Sequence, residues 1–395
     1  VQITPSITGI GLVTALGRSA RSTFDALRAG DGISDHTRLE SNGRLDLPRV
    51  VSLAIEAADE GIKQAGWEAD RSDVAVIACT SKGSIESWLH PQKPASEVSR
   101  RTRSSDERSA SSAHLRDRLV DDDASFGLSH LSSHLARHIG STDAARLCLS
   151  SACASGLHGL IRGAMMIQSG EAKRVLIVAA EASVHPLFLA SFERLGVLAK
   201  VGGLCRPFDQ HRNGFLMSEA AAAICLEATD DASRIITNVA RYALGGDATH
   251  LTGSDPHGAV LRVLLERVIA EQRIDLFHAH GTGTVSNDNT ELAAMETVSG
   301  PDRRGPALLF SHKAALGHSL GASGLVAVVI NCLCHQAGQV PGNINTCEPL
   351  PTRRVKIEQG TITRPIHRSL VHAAGFGGPT ALVSLVSPIT GQGQL

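Results

Sequence analysis

The sequence repeats itself. Ala154-Ser155-Gly156-Leu157 recurs as Ala322-Ser323-Gly324-Leu325, and Gln168 and Gly170 recur as Gln336 and Gly338, each 168 residues further on. Both copies open a long helix pattern, one over 154–170 and one from 322, that is apolar nearly all round. A helix with no polar face is buried between other layers. Two of them, one per copy, restrict the chain to a duplicated unit with a shared helical centre. A fainter echo pairs Ile7-Thr8 with Ile236-Thr237, 229 residues apart, so the first copy is longer ahead of its helix. In 395 residues two units are expected, over 1–232 and 233–395.

Apolar runs at 7–14, 74–79, 174–180 and 220–226 read as strands covered on both faces, and 50–65 and 130–139 read as helices. In the second unit a helix is expected near 260–270, with strands at 276–280, at 307–311 and on either side of Gly375-Phe376-Gly377-Gly378. Alternating strands and helices make this an α/β chain. Residues 89–125 break the pattern. They are rich in Ser, Arg and Asp, with Arg100, Arg101 and Arg103 clustered and an acidic run at Asp121, Asp122 and Asp123. They read as a solvated insertion, with partner docking or a lid as the alternative.

Hydrophobic content of 42% and charged content of 19% fit a soluble globular enzyme. A net charge of -1 and 3% aromatics give no footing for nucleic acid. The eight cysteines lack both disulfide-scaffold density and paired zinc spacing, so a reducing cytoplasm and no metal are expected. No stretch reads as a membrane span, and the opening residues carry no signal-peptide pattern.

Four motifs carry chemistry. In the first, Leu147-Cys148-Leu149-Ser150-Ser151-Ala152-Cys153-Ala154-Ser155-Gly156, an apolar run ends in a cysteine among small residues just before a helix. A helix N-terminus favours the thiolate, so a lowered pKa is expected for Cys153. The second is His278-Ala279-His280-Gly281-Thr282-Gly283-Thr284, followed by Asn287-Asp288 and Glu291. The third runs from Ser311-His312-Lys313 to Gly317-His318-Ser319-Leu320-Gly321-Ala322, and the fourth is Gly375-Phe376-Gly377-Gly378.

In this order the motifs resemble the β-ketoacyl-[acyl carrier protein] synthases of the thiolase superfamily, in the elongating Cys-His-His class. Further matches are Thr8 to Thr14, Arg206-Pro207-Phe208-Asp209 and Gly246 to Thr252. The resemblance implies a thiolase-like fold, with duplicated βαβαβαβ halves in five layers (αβαβα). It implies decarboxylative Claisen condensation of a cysteine-bound acyl chain with malonyl-acyl carrier protein. The expected partners are acyl carrier protein and a second copy of the chain, with a heterodimer as the alternative. No cofactor is expected beyond the phosphopantetheine on the carrier.

On these positions the resemblance makes Cys153 the nucleophile and His280 and His318 the paired histidines. Lys313 and Glu291 become a supporting polar pair, with Asp288 in a structural role. Thr282 and Thr284 would hold the phosphopantetheine arm. Phe376 would gate the site and share an oxyanion hole with the Cys153 amide. Phe215, Ala374 and Gly377 would touch substrate. The alternative reading is a non-elongating or chain-length-determining subunit of a ketosynthase heterodimer, and the presence of Cys153 weighs against it. The chain departs from the family at Ala374, where phenylalanine is frequent, at Pro379-Thr380, and at Ser218-Glu219-Ala220. Ala374 is expected to enlarge the space beside Phe376.

Overall fold

The structure is a computed structural model that describes residues 3–41, 47–85, 89, 127–229, 231–253, 255–299 and 305–388. Apart from Leu89, the polar insertion at 89–125 lies outside the described residues. The first set of strands is β1 (Pro5–Val13), β2 (Ala75–Cys79), β3 (Arg146–Leu149), β4 (Arg174–Glu181) and β5 (Ala220–Ala228). Then come β6 (Thr237–Gly246), β7 (Leu276–His278), β8 (Ala307–Phe310), the short β9 (Gln339–Val340), β10 (Val355–Ile357) and β11 (Ile362–Thr363), and finally β12 (Arg368–Ala374) and β13 (Pro379–Val386).

Two sets of five strands have the same order and sense. The first runs β1-β5-β4-β2-β3 and the second β6-β13-β12-β7-β8. In each, two antiparallel pairings on one side lead to two parallel pairings on the other. The sets join edge to edge at Ser6 opposite Asn238 and Ile7 opposite Thr237. Two of these four residues, Ile7 and Thr237, belong to the echoed pairs, so the faint similarity marks equivalent strands that meet each other.

The helices are α1 (Ala20–Ala29), α2 (Arg49–Ala65), α3 (His130–Ile139), α4 (Ser155–Ser169), α5 (Pro186–Arg194), α6 (Ala259–Ile269), α7 (Val285–Val298), the single turn α8 (Lys313–Leu316) and α9 (Ser323–Ala337). α2 and α3 cover the outer face of the first set, and α6, with α7 against it, covers the second. α4 and α9 lie between the two sets and touch each other. This is the expected five-layer order. The stretch Leu320–Ala337, 18 residues with mean hydropathy 1.5, does have the length and apolarity of a membrane span, contrary to the reading above. Its apolarity serves the centre of the fold, where 78% of it is buried.

The repeated glycines explain the repeat. A Cβ on Gly156 would stand 2.8 Å from the Leu325 nitrogen and 2.9 Å from its Cβ; one on Gly324 would stand 3.0 Å from Leu157 Cγ and 3.3 Å from the Leu157 nitrogen. Each glycine thus receives the leucine of the other copy, and the two central helices cross there.

Two features differ from expectation. β7 ends at His278 rather than His280, because side chains capture the His280 peptide, as described below. α7 carries no apolar stripe in the sequence because its first turns bury Asp288, Thr290 and Glu291 toward the interior.

Gly156→Ala is expected to lower stability by about 1–3 kcal/mol, since the new methyl meets backbone that cannot yield. Gly163→Ala, in the same helix, meets side chains alone, Ile177 at 3.0 Å and Val175 at 3.4 Å, and is expected to cost less. Denaturant midpoints of the two variants test this; equal midpoints would mean that the crossing tolerates a wider spacing.

Candidate active site

The crossing aims the chain ahead of each central helix into one cleft. A pocket of about 340 Å³ is lined by Cys153, from the turn before α4, and by His280 and His318, from the loops after β7 and before α9. Thr282, Thr284, Phe215, Phe376 and Ala374 also line it. Lys313, Glu291 and Asp288 are buried behind this wall, and Gly377 is not part of it; its amide instead donates to the Leu251 carbonyl at 2.8 Å.

The backbone around the pocket is strained. Ala152, Phe208 and Leu320 are non-glycine residues at φ of 48°, 61° and 42°. Such residues cost of the order of 1–3 kcal/mol each and persist only where the surroundings hold them. Ser155 helps to hold the turn: its Oγ accepts from the Ser151 amide at 2.9 Å and donates to the Ala152 carbonyl at 2.6 Å.

The Cys153 thiol does not follow the expectation of a lowered pKa. Burial pushes it up to about 11, with Glu181 adding to the rise and Lys313 and Lys82 opposing it. Desolvation disfavours the thiolate and outweighs the two lysines. Glu181, which the sequence gave no reason to single out, ends β4 fully buried. It accepts from the Ser81 amide at 2.8 Å and the Gly321 amide at 3.1 Å.

His280 and His318 meet edge to face, with ring centroids 5.4 Å apart. Burial, reinforced by Lys313, drives both well below the ordinary histidine range, so both are neutral at pH 7. Nδ1 of each is buried without a hydrogen-bond partner. A neutral ring carries its single proton on either Nδ1 or Nε2. Phe215 packs edge-on to His318 at 5.0 Å, and Phe192, from the unanticipated α5, packs on Phe215 and Phe376.

Lys313 and Glu291 do not form the direct pair expected. They grip opposite ends of the His280 peptide unit. Lys313 Nζ donates to the His280 carbonyl at 2.5 Å, while Glu291 accepts from the His280 amide at 2.6 Å and the Gly281 amide at 2.8 Å. Burial brings the Lys313 ammonium down to about 8 against the pull of Glu291. The direct partner of Glu291 is His372, whose Nδ1 lies 2.5 Å from the carboxylate. Burial acts to raise the Glu291 pKa, but His372 and the two amides outweigh it and hold the carboxyl below its usual range. The sequence offered no signal for His372 beyond its place two residues before Ala374. Asp288, pushed up to about 6 by burial, accepts from the Phe208 amide at 2.8 Å and ties the Gly283 turn to the Arg206-Pro207-Phe208-Asp209 loop.

The departure at Ser218-Glu219-Ala220 is structural. Glu219 is buried and pairs bidentately with Arg49 at 2.6 and 2.9 Å, tying α2 to the segment before β5, whose Met217 forms an isolated bridge to His318.

A thiol and two neutral imidazoles in one apolar-walled cleft, on a doubled five-layer fold, define a carbon–carbon condensing enzyme of thiolase type. The profile of the β-ketoacyl synthase N-terminal domain matches residues 38–232, and that of the C-terminal domain matches residues 236–347. The chain belongs to the β-ketoacyl synthase family and is an acyltransferase. It is 28% identical over 425 residues to the putative polyketide beta-ketoacyl synthase 1 of Streptomyces halstedii, covering 97% of each chain. It is 32% identical over 253 residues to the mitochondrial 3-oxoacyl-[acyl-carrier-protein] synthase of Arabidopsis thaliana, a match that spans 60% of this chain and 55% of that relative. Among solved structures, the ishigamide ketosynthase/chain length factor superposes with a TM-score of 0.79 at 24% identity, over 98% of this chain and all of that one. A type II polyketide ketosynthase in complex with its acyl-carrier protein gives a TM-score of 0.79 at 23% identity, with the same coverage.

With the thiol pushed up to about 11, its thiolate fraction rises about tenfold per pH unit throughout the range below that value. Alkylation of Cys153 by iodoacetamide is expected to climb without levelling between pH 7 and 10, read by peptide mapping to separate it from the exposed Cys347. A plateau already reached near pH 7 would show that the helix end dominates after all.

Proposed function

We propose that Cys153 accepts an acyl chain from an acyl carrier protein and that His280 and His318 drive its decarboxylative condensation with a malonyl carrier. In the first half-reaction the Cys153 sulfur forms a bond to the acyl carbonyl carbon. The carrier thioester bond breaks, and the carrier thiol leaves with the proton that Cys153 gives up. In the second, malonyl carrier loses its carboxylate as carbon dioxide and an enolate forms. That enolate attacks the Cys153 thioester; the new carbon–carbon bond forms as the carbon–sulfur bond breaks, and the cysteine sulfur leaves. The observation that carries the reading is the pair of neutral rings that share the pocket with Cys153, each able to donate one ring N–H. Two such donors stabilise a developing enolate oxygen without adding a cation that would hold the carboxylate back.

The other residues follow from their surroundings. Lys313 and Glu291 fix the His280 backbone. Thr282 and Thr284, whose hydroxyls pair at 2.9 Å on the pocket wall, offer groups for the amides of the phosphopantetheine arm. The amides of Cys153 and Phe376 serve the tetrahedral oxyanion, and Phe376 gates the pocket. The assembly is a homodimer. Its support is β3, the edge strand beside β2, which is only partly covered and leaves one row of backbone groups for another chain. Sedimentation of the protein alone and with candidate partner subunits separates a homodimer from a heterodimer.

Loading and decarboxylation use different groups, and this makes the reading testable. Cys153→Ala is expected to abolish acylation, read by intact mass, while still releasing labelled carbon dioxide from malonyl carrier. His318→Ala is expected to keep acylation and to lose decarboxylation by about a hundredfold to a thousandfold, as for a lost oxyanion donor. If His318→Ala blocks loading as fully as Cys153→Ala, the histidine acts on the thiol and the assignment of two enolate donors is wrong.

A further inference from the structure

A third histidine stands behind the reacting pair. The residues of β12 alternate between two cores: Val371 and Ala373 pack at the centre of the fold, while Leu370 packs with Phe277 and Leu292 in the outer core under α6 and α7. That alternation turns His372 to the outer face, toward Glu291 of α7. His372 is buried, and its ring centroid lies 6.1 Å from that of His280. Neither of its nitrogens is idle. Nδ1 meets Glu291 Oε1 at 2.5 Å, and Nε2 pairs with the Thr380 hydroxyl at 3.0 Å. Thr380 comes from β13, two residues from Leu382, the cross-strand partner of His372.

One oxygen of Glu291 serves both histidines. Oε1 accepts from the His280 amide at 2.6 Å as well as from His372, and Oε2 accepts from the Gly281 amide at 2.8 Å and from Asn287 Nδ2 at 3.2 Å. A carboxylate only accepts, so His372 carries a proton on Nδ1. Burial pushes the Glu291 carboxyl up, and His372 is the strongest of the groups that bring it back down. The other titratable groups around it are Lys313, Asp288, His278 and His280, with Asp247 across a small space. Lys313 is already engaged with the His280 carbonyl. Without His372, burial prevails and the carboxyl takes up a proton as the pH falls. One of its oxygens then becomes a donor and no longer holds the amide it faces.

Resting on the condensing role argued above, we propose that His372 is a positioning residue for His280, acting through the Glu291 carboxylate that the two histidines share. It does not line the main pocket and touches no reacting atom. It fixes the carboxylate, the carboxylate fixes the His280 amide, and the imidazole is thereby aimed at the enolate oxygen. Thr380 sets the His372 ring from the other side. The line of bonds runs from β13 through β12 and α7 to the loop after β7. Decarboxylation uses the histidine at the end of this line, and loading of Cys153 does not.

The test measures Cys153 acylation by intact mass and release of labelled carbon dioxide from malonyl carrier, on the natural chain and on His372→Ala, His372→Asn and Thr380→Val. In His372→Ala the kcat for decarboxylation is expected to fall by about tenfold to a hundredfold at pH 7, with KM for malonyl carrier and the loading rate within about twofold of natural. The deficit is expected to grow as the pH is lowered from about 7.5 to about 6, because a raised Glu291 is protonated as the pH falls through its value. This window lies below the value of about 8 for Lys313, and Asp288, at about 6, titrates in the natural chain too, which serves as the reference. The amide nitrogen of an asparagine can donate where Nδ1 does, so His372→Asn is expected to recover decarboxylation to within about threefold of natural and to lose the pH-dependent deficit. Thr380→Val keeps the shape of the side chain and is expected to lower decarboxylation by about threefold without touching loading; it decides the matter if His372→Ala fails to fold, and an unchanged rate then overturns the proposal. The proposal is also overturned, with the condensing role left standing, if His372→Ala decarboxylates within about twofold of natural, if its deficit is the same at every pH or extends equally to loading, or if His372→Asn does no better than His372→Ala. If the natural chain itself neither loads nor decarboxylates, the condensing role falls and the proposal with it.

Discussion

The structure depends on one contact made twice, with Leu325 against Gly156 and Leu157 against Gly324. Each glycine is the second residue of its helix, so the helices cross at their N-terminal ends. The segments that feed them must therefore converge. Cys153 stands in one of those segments and His318 in the other. Any side chain at the crossing would push the two central helices apart, and with them the two sides of the pocket. The tight packing at this point and the geometry of the site are one constraint.

Around that convergence the polar groups are arranged to keep charge off the reacting side chains. Lys313 and Glu291 are both buried, yet neither reaches into the pocket; they act on the carbonyl and the amide of His280. The histidine loop is held by charge-assisted bonds while its ring stays neutral. A second buried set works in the same way one layer back. His278 bonds Asn331 at 2.6 Å and His312 at 2.8 Å, and His312 bonds Ser323 at 3.2 Å. Burial brings His278 down to about 3 and His312 well below the histidine range. This neutral chain links the end of β7, the residue before Lys313 and the start of α9. Hydrogen bonds satisfied among neutral groups stiffen the interior without the desolvation cost of an ion pair.

The chain by itself determined the duplicated fold and the identity of the central residues. Repeats of Ala-Ser-Gly-Leu, continuous apolar strands and a cysteine or histidine near a glycine turn are local patterns, and each reports a local necessity: a crossing, a covered sheet, a reactive group held on a turn. Tertiary structure decided what depends on distance between segments far apart in sequence. That His372 and not Lys313 is the direct partner of Glu291 rests on two residues 81 positions apart meeting at 2.5 Å. That the Cys153 thiol is raised rests on the shielding and the charges that the assembled walls bring to it, which the local sequence does not show. α7 escaped notice because its buried face is polar, and polarity marks an interior face only when its partners across the fold are known.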